Sequence, residues 1–303
     1  MPDLKLFSSP PLSQLGSAPQ PAPPVVPAVA KARVSLPDAP MQVRVVPITR
    51  LAQGGRWRVE AMRAQPEPVL LWFTRGQGRI TLGGLTRGYG AHNAVFIPAG
   101  VMHGFEVGPQ TNGLALFFGR DCDVTLPDAS QHLRIRESGP QAELSQIFDQ
   151  IQRELESQKP GAERAARYHL GLLSVWLERQ IAQVEADPAA QKQPRPAAAR
   201  RLAARYAAVL ERRFRSGNGV ADMAAELGVT PTHLTRVCRE ACGRSAHDLL
   251  QERRLYEARR MLTETREPVG AIAEALGFTS PAYFARAFQA GTGKTPSAFR
   301  KGS

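Results

Sequence analysis

The sequence predicts a multidomain α+β protein, in which an antiparallel β barrel and a helical hairpin precede an all-α domain. Three observations predict this fold class. Short apolar runs punctuated by glycine and proline fill residues 41–136, two apolar stripes at helical spacing follow them, and one pair of helical segments occurs twice after residue 220. A chain of 303 residues is also long enough for about two domains with separate cores.

Two low-complexity segments set the predicted domain boundaries. Residues 1–40 contain ten prolines and show neither helical nor strand periodicity, so we expect a disordered tail. Residues 186–199 are rich in proline and alanine, which is typical of a semi-extended linker. The two domains are therefore predicted at residues 41–185 and 200–303.

The first domain is predicted to be all-β up to residue 136. Turn signals such as Gly54-Gly55 and Gly83-Gly84 separate its apolar runs. Many short strands at this spacing favour an antiparallel sandwich or barrel. The predicted strands are Val43–Ile48, Trp57–Arg63, Val69–Thr74, Gly78–Leu82, Ala94–Ile97, Gly104–Val107, Leu114–Phe118 and Leu133–Arg136.

Two helices are predicted after the strands, at residues 141–156 and 162–184. Leu144 and Ile151 belong to one apolar stripe, and Leu172 and Trp176 belong to the other. Such stripes either cover the sheet or pair two subunits. We favour a homodimer, because an antiparallel helical hairpin has the apolar area to form an interface.

The carboxyl-terminal domain contains a repeated unit. Its two copies read VADMAAELG from Val220 and VGAIAEALG from Val269. In each copy, a glycine ends the first helix and a hydroxyl N-cap followed by proline starts the second. The glycines are Gly228 and Gly277, and the caps are Thr230-Pro231 and Ser280-Pro281. This pattern predicts two helix-turn-helix units, whose second helices enter the DNA major groove. Two plain helical hairpins in an ordinary α-helical domain are the alternative.

One helix is predicted to join the two units, from Ser245 to Thr263, with apolar positions at Leu250, Leu255, Ala258 and Leu262. A helix of about 19 residues spans about 28 Å. It is therefore long enough to hold two recognition helices roughly one DNA turn, about 34 Å, apart. From Arg195 onward the chain has 19 Lys and Arg against 10 Asp and Glu, a basic excess that suits contact with phosphates.

These features resemble the AraC/XylS family of bacterial transcription regulators over about residues 200–300. The resemblance rests on the doubled unit, the A-x-x-x-G-[FV] turns, the arginine-bearing linking helix and the closing GTGKTPSAFR. It implies that the exposed first turns of both recognition helices read bases. The implied DNA-binding residues are Thr232, Thr235, Arg236 and Arg239 in the first helix, and Ala282, Tyr283 and Arg286 in the second. Pro281, Ala282 and Ala285 offer no hydrogen-bonding side chain, so base readout by the second helix is expected to be thin.

The stretch GQGRITLGGLTRGYGAHNAVFIPAGVMHGFEV resembles a cupin-type sensing domain, through its hairpin and its I-P-x-G-x-x-H segment. The resemblance implies a small-molecule effector, for which the candidate ligand-binding residues are Trp57, Trp72, His103 and Phe105. Plain core packing, and for His103 a hydrogen bond at a strand start, are the alternatives. A metal-dependent cupin needs several clustered ligands, and only His103 has a counterpart, so no metal and no cofactor are expected.

The resulting expectation is a sequence-specific regulator that is not an enzyme, because no Ser/His/Asp arrangement or phosphate-binding glycine loop is recognisable. Its expected partners are double-stranded DNA, the effector, a second copy of the chain and RNA polymerase. The alternatives are a metal-dependent cupin enzyme tethered to DNA and a ligand-independent DNA-binding regulator. Three cysteines suit a reducing cytoplasm. No apolar run is long enough for a membrane span, and no secretory signal is recognisable.

Overall fold

A computed structural model describes residues 43–120, 122–187 and 198–302. The predicted tail and most of the predicted linker lie outside these described residues. The amino-terminal domain holds the strands β1 Arg44–Pro47, β2 Val69–Arg75, β3 Gly78–Leu82, β4 Leu85–Tyr89, β5 Asn93–Ile97, β6 His103–Phe105, β7 Asn112–Phe117 and β8 Gln131–Arg134. Two short helices, α1 Ile48–Leu51 and α2 Trp57–Glu60, lie between β1 and β2.

The strands form two antiparallel sheets. The larger sheet has the order β1-β7-β2-β5-β8, and the smaller one has the order β4-β3-β6. Strand β2 shows why the larger sheet is central: its alternating residues pack on opposite faces. Leu71 and Phe73 face a core that also includes Ile80 and Phe105 of the smaller sheet, whereas Trp72 faces the other side. The predicted antiparallel β fold of this domain is confirmed.

The helical hairpin covers the other side of the larger sheet. Helix α3 spans Ser138–Glu156 and helix α4 spans Ala162–Ala186. Their buried residues, including Phe148 and Trp176, share one apolar core with Trp72. One face of each helix therefore covers the sheet, as one of the two sequence interpretations required.

One strand prediction is wrong, and one observed strand was not predicted. Residues 57–63 were expected to be a strand, but Trp57–Glu60 is a helical turn, which an ion pair between Arg56 Nε and Glu60 Oε1 (2.8 Å) stabilises. Strand β4 is not among the predicted strands; its sequence, LTRGY, contains a glycine, which is depleted in strands. It pairs with β3 through a two-residue hairpin at Gly83-Gly84, both with positive φ, as such hairpin turns require.

The carboxyl-terminal domain is all-α among the residues that the structure describes. Its helices are α5 Ala198–Arg213, α6 Val220–Glu226, α7 Pro231–Cys242, α8 Ala246–Glu264, α9 Val269–Ala275, α10 Pro281–Thr292 and α11 Pro296–Lys301. Helices α6–α7 and α9–α10 form the two predicted helix-turn-helix units, and α8 joins them. A single apolar core runs through both units, from Tyr206 in α5 to Phe288 in α10. In none of the described segments is a helix both long and apolar enough to cross a bilayer.

The two domains contact each other. Met62 and Met102 of the β domain pack into the apolar core of the helical domain. Trp57 places its ring against Tyr256 of α8 and Phe299 of α11, with centroid distances of 5.7 and 6.2 Å. Helix α8 is therefore in contact with the β domain as well as with both helix-turn-helix units.

Candidate nucleic-acid interface

Helix α7, the second helix of the first unit, is fixed at both ends. The hydroxyl of Thr230 accepts a hydrogen bond from the backbone N–H of His233 (3.2 Å), and Pro231 occupies the first helical position, where no N–H is needed. Gly243 ends the helix with a φ of 73°, which a side chain would disfavour. Leu234 and Cys238 are buried in the core. The opposite face must therefore point to solvent.

Helix α10 repeats this construction in the second unit. The hydroxyl of Ser280 accepts from the backbone N–H of Tyr283 (3.1 Å), Pro281 follows it, and Gly293 ends the helix with a φ of 74°. Phe284 and Phe288 take the core positions of Leu234 and Cys238. The duplicated sequence pattern thus gives two recognition helices that are capped and packed in the same way.

The residues predicted to read DNA lie on the outward faces of these helices. On α7, Thr232, Thr235, Arg236 and Arg239 line one open surface concavity together with Pro231. All but the half-buried Thr235 are exposed. On α10, the predicted residues Ala282, Tyr283 and Arg286 are all exposed. The structure therefore groups the predicted residues on two solvent-facing surfaces, one for each unit.

Comparison with known proteins shows what the carboxyl-terminal domain is similar to. Residues 223–302 match a family model described as a helix-turn-helix domain. The chain is 42% identical over 81 residues to the HTH-type transcriptional regulator GlxA of Rhizobium meliloti (strain 1021). It is 31% identical over 83 residues to the arabinose operon regulatory protein of Escherichia coli (strain K12). Residues 223–302 therefore form a helix-turn-helix domain, similar to part of these AraC-type regulators.

These matches are partial. They cover 27% of this chain in both cases, and 25% and 28% of the two relatives. Among solved structures, the chain is similar to the C-terminal domain of AraT from Geobacillus stearothermophilus, at 27% identity and a TM-score of 0.32 over 36% of this chain and 87% of that one. It is also similar to ToxT from Vibrio cholerae, at 12% identity and a TM-score of 0.40 over 87% of this chain and 98% of that one.

Sequence reasoning missed one residue on the outward face of α7. The Nδ1 atom of His233 lies 3.0 Å from Nη2 of Arg236. A guanidinium carries only donors, so Nδ1 accepts this hydrogen bond. The sequence could have predicted this contact, because residues three positions apart on a helix, such as His233 and Arg236, are neighbours on its surface. In the second unit, Tyr283 and Arg286 stand at the same spacing.

Helix α8 carries a buried ionic network that the apolar spacing did not predict. Arg253, only 4% exposed, donates to both carboxylate oxygens of Glu211 (2.7 and 2.8 Å) and to Glu257 (3.1 Å). Glu257 also accepts from Arg215 and Arg260, each at 2.6 Å. Burial alone would raise the pKa of Glu257, but the hydrogen bond from Arg260 and the surrounding guanidinium charges outweigh burial and hold it at about 2. The linking helix is thereby tied to α5 and to the segment before the first unit.

The four candidate ligand-binding residues do not share one environment. Trp72 is buried under the helical hairpin, where its Nε1 atom donates to the Ser145 hydroxyl (3.3 Å). Phe105 lies between the two sheets. His103 is 2% exposed, with Nδ1 2.9 Å from the Val101 carbonyl oxygen, and Trp57 lies at the contact between the domains. Trp72 is therefore separated from Phe105 by the larger sheet.

Burial and the nearby charge of Arg63 lower the pKa of His103 to about 3, so its ring is neutral at ordinary pH. No group of three or more His, Cys, Asp or Glu side chains able to hold a metal ion occurs in the part of the chain that the structure describes.

Arg63, which was not singled out in the sequence, is a charged residue next to His103 in the β domain. Its backbone exchanges two hydrogen bonds with that of His103 (2.9 and 2.7 Å).

Proposed function

We propose that this protein is a sequence-specific transcription regulator that binds double-stranded DNA and responds to a small-molecule effector. The observation that carries the proposal is the pair of AraC-type helix-turn-helix units, each of which presents an exposed arginine from the face opposite its core. Arginine is the commonest side chain for specific contacts, because its planar fork matches the O6 and N7 atoms of guanine.

The spacing of the two units supports binding to one side of a duplex. Helix α8 has 19 residues, a length of about 28 Å. Successive major grooves on one face of DNA lie roughly 34 Å apart. A second recognition helix held at this distance would enter the next turn of the groove that the first one reads.

The proposed roles of the outward residues follow from their chemistry. Arg236, Arg239 and Arg286 would donate to guanine or phosphate, and Thr232 and Thr235 would make hydrogen bonds with less discrimination. Ala282 would contact a thymine methyl group, and Tyr283 would supply both an apolar ring and a hydroxyl. Readout by the first unit is therefore expected to be richer than readout by the second.

The β domain is the proposed effector sensor. We place the protein in the cytoplasm, where its binding to DNA would change the recruitment of RNA polymerase. Because the β domain contacts α8, and α8 joins the two helix-turn-helix units, a change in the β domain can alter the position of both units. An effector that prefers one arrangement of the two domains would shift the population toward that arrangement, by as much as its affinity differs between the two.

The helical hairpin is the proposed dimer interface. One face of α4 is buried on the sheet, but its other face exposes Tyr168 (68%), Leu172 (56%) and Val175 (39%), which follow each other at helical spacing. Leu155 of α3 is exposed as well. Clustered large apolar side chains of this kind mark interaction surfaces, and a two-fold dimer is the commonest assembly of soluble proteins.

Selection of duplexes from a randomised library by the full-length protein tests the proposal. We expect enrichment of one site with two conserved blocks about ten base pairs apart, the block read by the first unit being the more strongly conserved. Retention of random duplexes without enrichment of any sequence would contradict sequence-specific regulation.

A further inference from the structure

Gln289 is an exposed polar residue in the third turn of the second recognition helix, α10. Its backbone carbonyl oxygen accepts a hydrogen bond from the backbone N–H of Gly293 (2.8 Å), where the helix ends. Its side-chain amide makes no hydrogen bond with any other residue that the structure describes. The amide oxygen and the NH2 group are therefore both available to a ligand.

The internal repeat places Gln289 where the first unit has Arg239. The backbone N–H of Gly243 donates to the Arg239 carbonyl oxygen (2.9 Å), as that of Gly293 does to the Gln289 carbonyl oxygen, so the two residues occupy the same place before the end of their helices. Arg239 lines the open concavity of α7 together with Arg236. The equivalent position in α10 therefore belongs to the surface that would face DNA.

The position of Gln289 on α10 suits contact with bases. Ala282, Ala285, Arg286 and Gln289 follow each other at the spacing i, i+3, i+4, i+7, which is the spacing at which the recognition helix of a homeodomain reads bases. Gln289 lies about 4.5 Å beyond Arg286 along the helix axis, which is close to the distance of roughly 3.4 Å between successive base pairs. The methyl side chains of the two alanines let the helix approach the base edges closely.

We propose that Gln289 is a specificity-determining residue that reads an adenine in the block of the DNA site bound by the second unit. Its amide oxygen would accept a hydrogen bond from N6 of adenine, and its NH2 group would donate to N7, which is how glutamine recognises adenine in the major groove. The inference rests on the proposed regulatory function, for which it names a base that the second unit recognises.

The chemistry of the amide favours adenine over the other partners that DNA offers. A phosphate oxygen only accepts hydrogen bonds, so it would leave the amide oxygen of Gln289 unpaired. Guanine presents two acceptors, O6 and N7, which match the guanidinium of Arg286 instead. The second block is therefore expected to contain an adenine beside the base pair that Arg286 contacts.

Fluorescence anisotropy tests the assignment, with the selected duplex and with duplexes that carry each other base pair at every position of the second block. We expect the full-length wild type to prefer adenine at one position by about 5- to 150-fold, the range for one bidentate base contact. Gln289→Ala is expected to lose the preference at that position alone. Its affinity should keep the salt dependence of the wild type, because no phosphate contact has been removed.

Two further variants make the test decisive. Gln289→Arg is expected to change the preferred base at the same position from adenine to guanine, since arginine pairs with O6 and N7. Gln110→Ala removes an exposed glutamine from the β domain and should read the site like the wild type.

The role of Gln289 is overturned if the wild type prefers adenine nowhere in the second block, if Gln289→Ala keeps every base preference, or if Gln289→Ala weakens binding to all duplexes equally. It is also overturned if adenine stays preferred in Gln289→Arg. Each of these results leaves a selected site in place and so overturns this inference alone. Absence of any selected site overturns the regulatory function, and this inference with it.

Discussion

At the scale of single residues, the two recognition helices differ in what stands three positions before the outward arginine. In α7 it is His233, whose Nδ1 atom holds Nη2 of Arg236 at 3.0 Å. In α10 it is Tyr283, whose ring packs against Phe278 with a centroid distance of 6.0 Å. A side chain that is oriented before binding loses less conformational entropy in the complex. The side chain of Arg236 is thus more restricted before DNA binding than that of Arg286.

Arg236→Ala is expected to reduce discrimination at one base pair of the selected site by about 1–3 kcal/mol, because it removes a bidentate contact. Fluorescence anisotropy with the selected duplex and single-substitution duplexes measures this loss. Arg286→Ala is the matched control, and it should affect a base pair in the other block. Equal losses of affinity for selected and random duplexes would show that Arg236 contacts only phosphates.

His233→Ala is expected to reduce discrimination at the same base pair as Arg236→Ala, by about 0.5–1.5 kcal/mol, since Arg236 must then be immobilised on binding. The effect should vanish when Arg236 is already alanine, because the histidine acts through the arginine. Tyr283→Ala should leave that base pair unaffected. Additive losses in the double variant would assign His233 a direct contact of its own.

At the scale of elements, apolar periodicity alone did not predict which residues of α8 are buried. The predicted apolar positions Leu250, Ala258 and Leu262 are buried, but so are Arg253 and Glu257. Charged side chains are normally assigned to solvent, and their burial here depends on carboxylate and guanidinium partners about 42 positions away. Only the tertiary fold brings those partners together.

Acid is expected to destabilise this network, with Glu257 as a main contributor. Its carboxylate has a folded-state pKa of about 2, against an ordinary value of 4.5. A depressed pKa stabilises the folded state fully above the ordinary value, and this contribution declines as the pH falls from about 4.5 toward 2. Urea unfolding at a series of pH values should therefore show a loss of stability in that window.

Glu257→Gln should lower the free energy of unfolding at neutral pH by about 3–5 kcal/mol, because it leaves buried guanidinium groups without their partner. It should also flatten the acid dependence. Glu264→Gln, which breaks the more exposed ion pair with Arg260, should cost at most about 1 kcal/mol. If the two variants were equally stable, the buried network would not hold α8 in place.

The recognition helices were predictable because local signals determine them. Their caps, glycines and apolar positions lie within about a dozen residues of each other, and they fixed which face of α7 and α10 points outward. Residues 57–63 show the opposite case. Their alternating pattern is typical of a strand, yet Trp57 and Met62 pack on the other domain, and no local pattern reports such a contact.

At the scale of the whole molecule, the contact between the domains and the exposed face of α4 determine how the protein would assemble. Trp57, Met62 and Met102 connect the β domain to the helical core, while Tyr168 and Leu172 remain uncovered on the far side of the hairpin. The first contact lies within one chain. The second is free for another copy of the chain.

Leu172→Arg is expected to convert a dimer into a monomer, because it places a charge at the centre of the uncovered apolar stripe at a cost of about 2 kcal/mol or more. Sedimentation velocity over a range of protein concentrations measures the change. Thr74→Arg adds the same charge at an exposed strand residue and should leave the dimer intact. A wild-type protein that sediments as a monomer at every concentration would contradict the proposed interface.

Methylation protection of guanine N7 on the selected duplex tests directly whether both helix-turn-helix units read one face of DNA. Two protected clusters are expected in successive major grooves, about ten base pairs apart, with Arg236→Ala removing one cluster and Arg286→Ala the other. A single protected cluster, or the loss of both clusters from either substitution alone, would contradict independent readout by the two units.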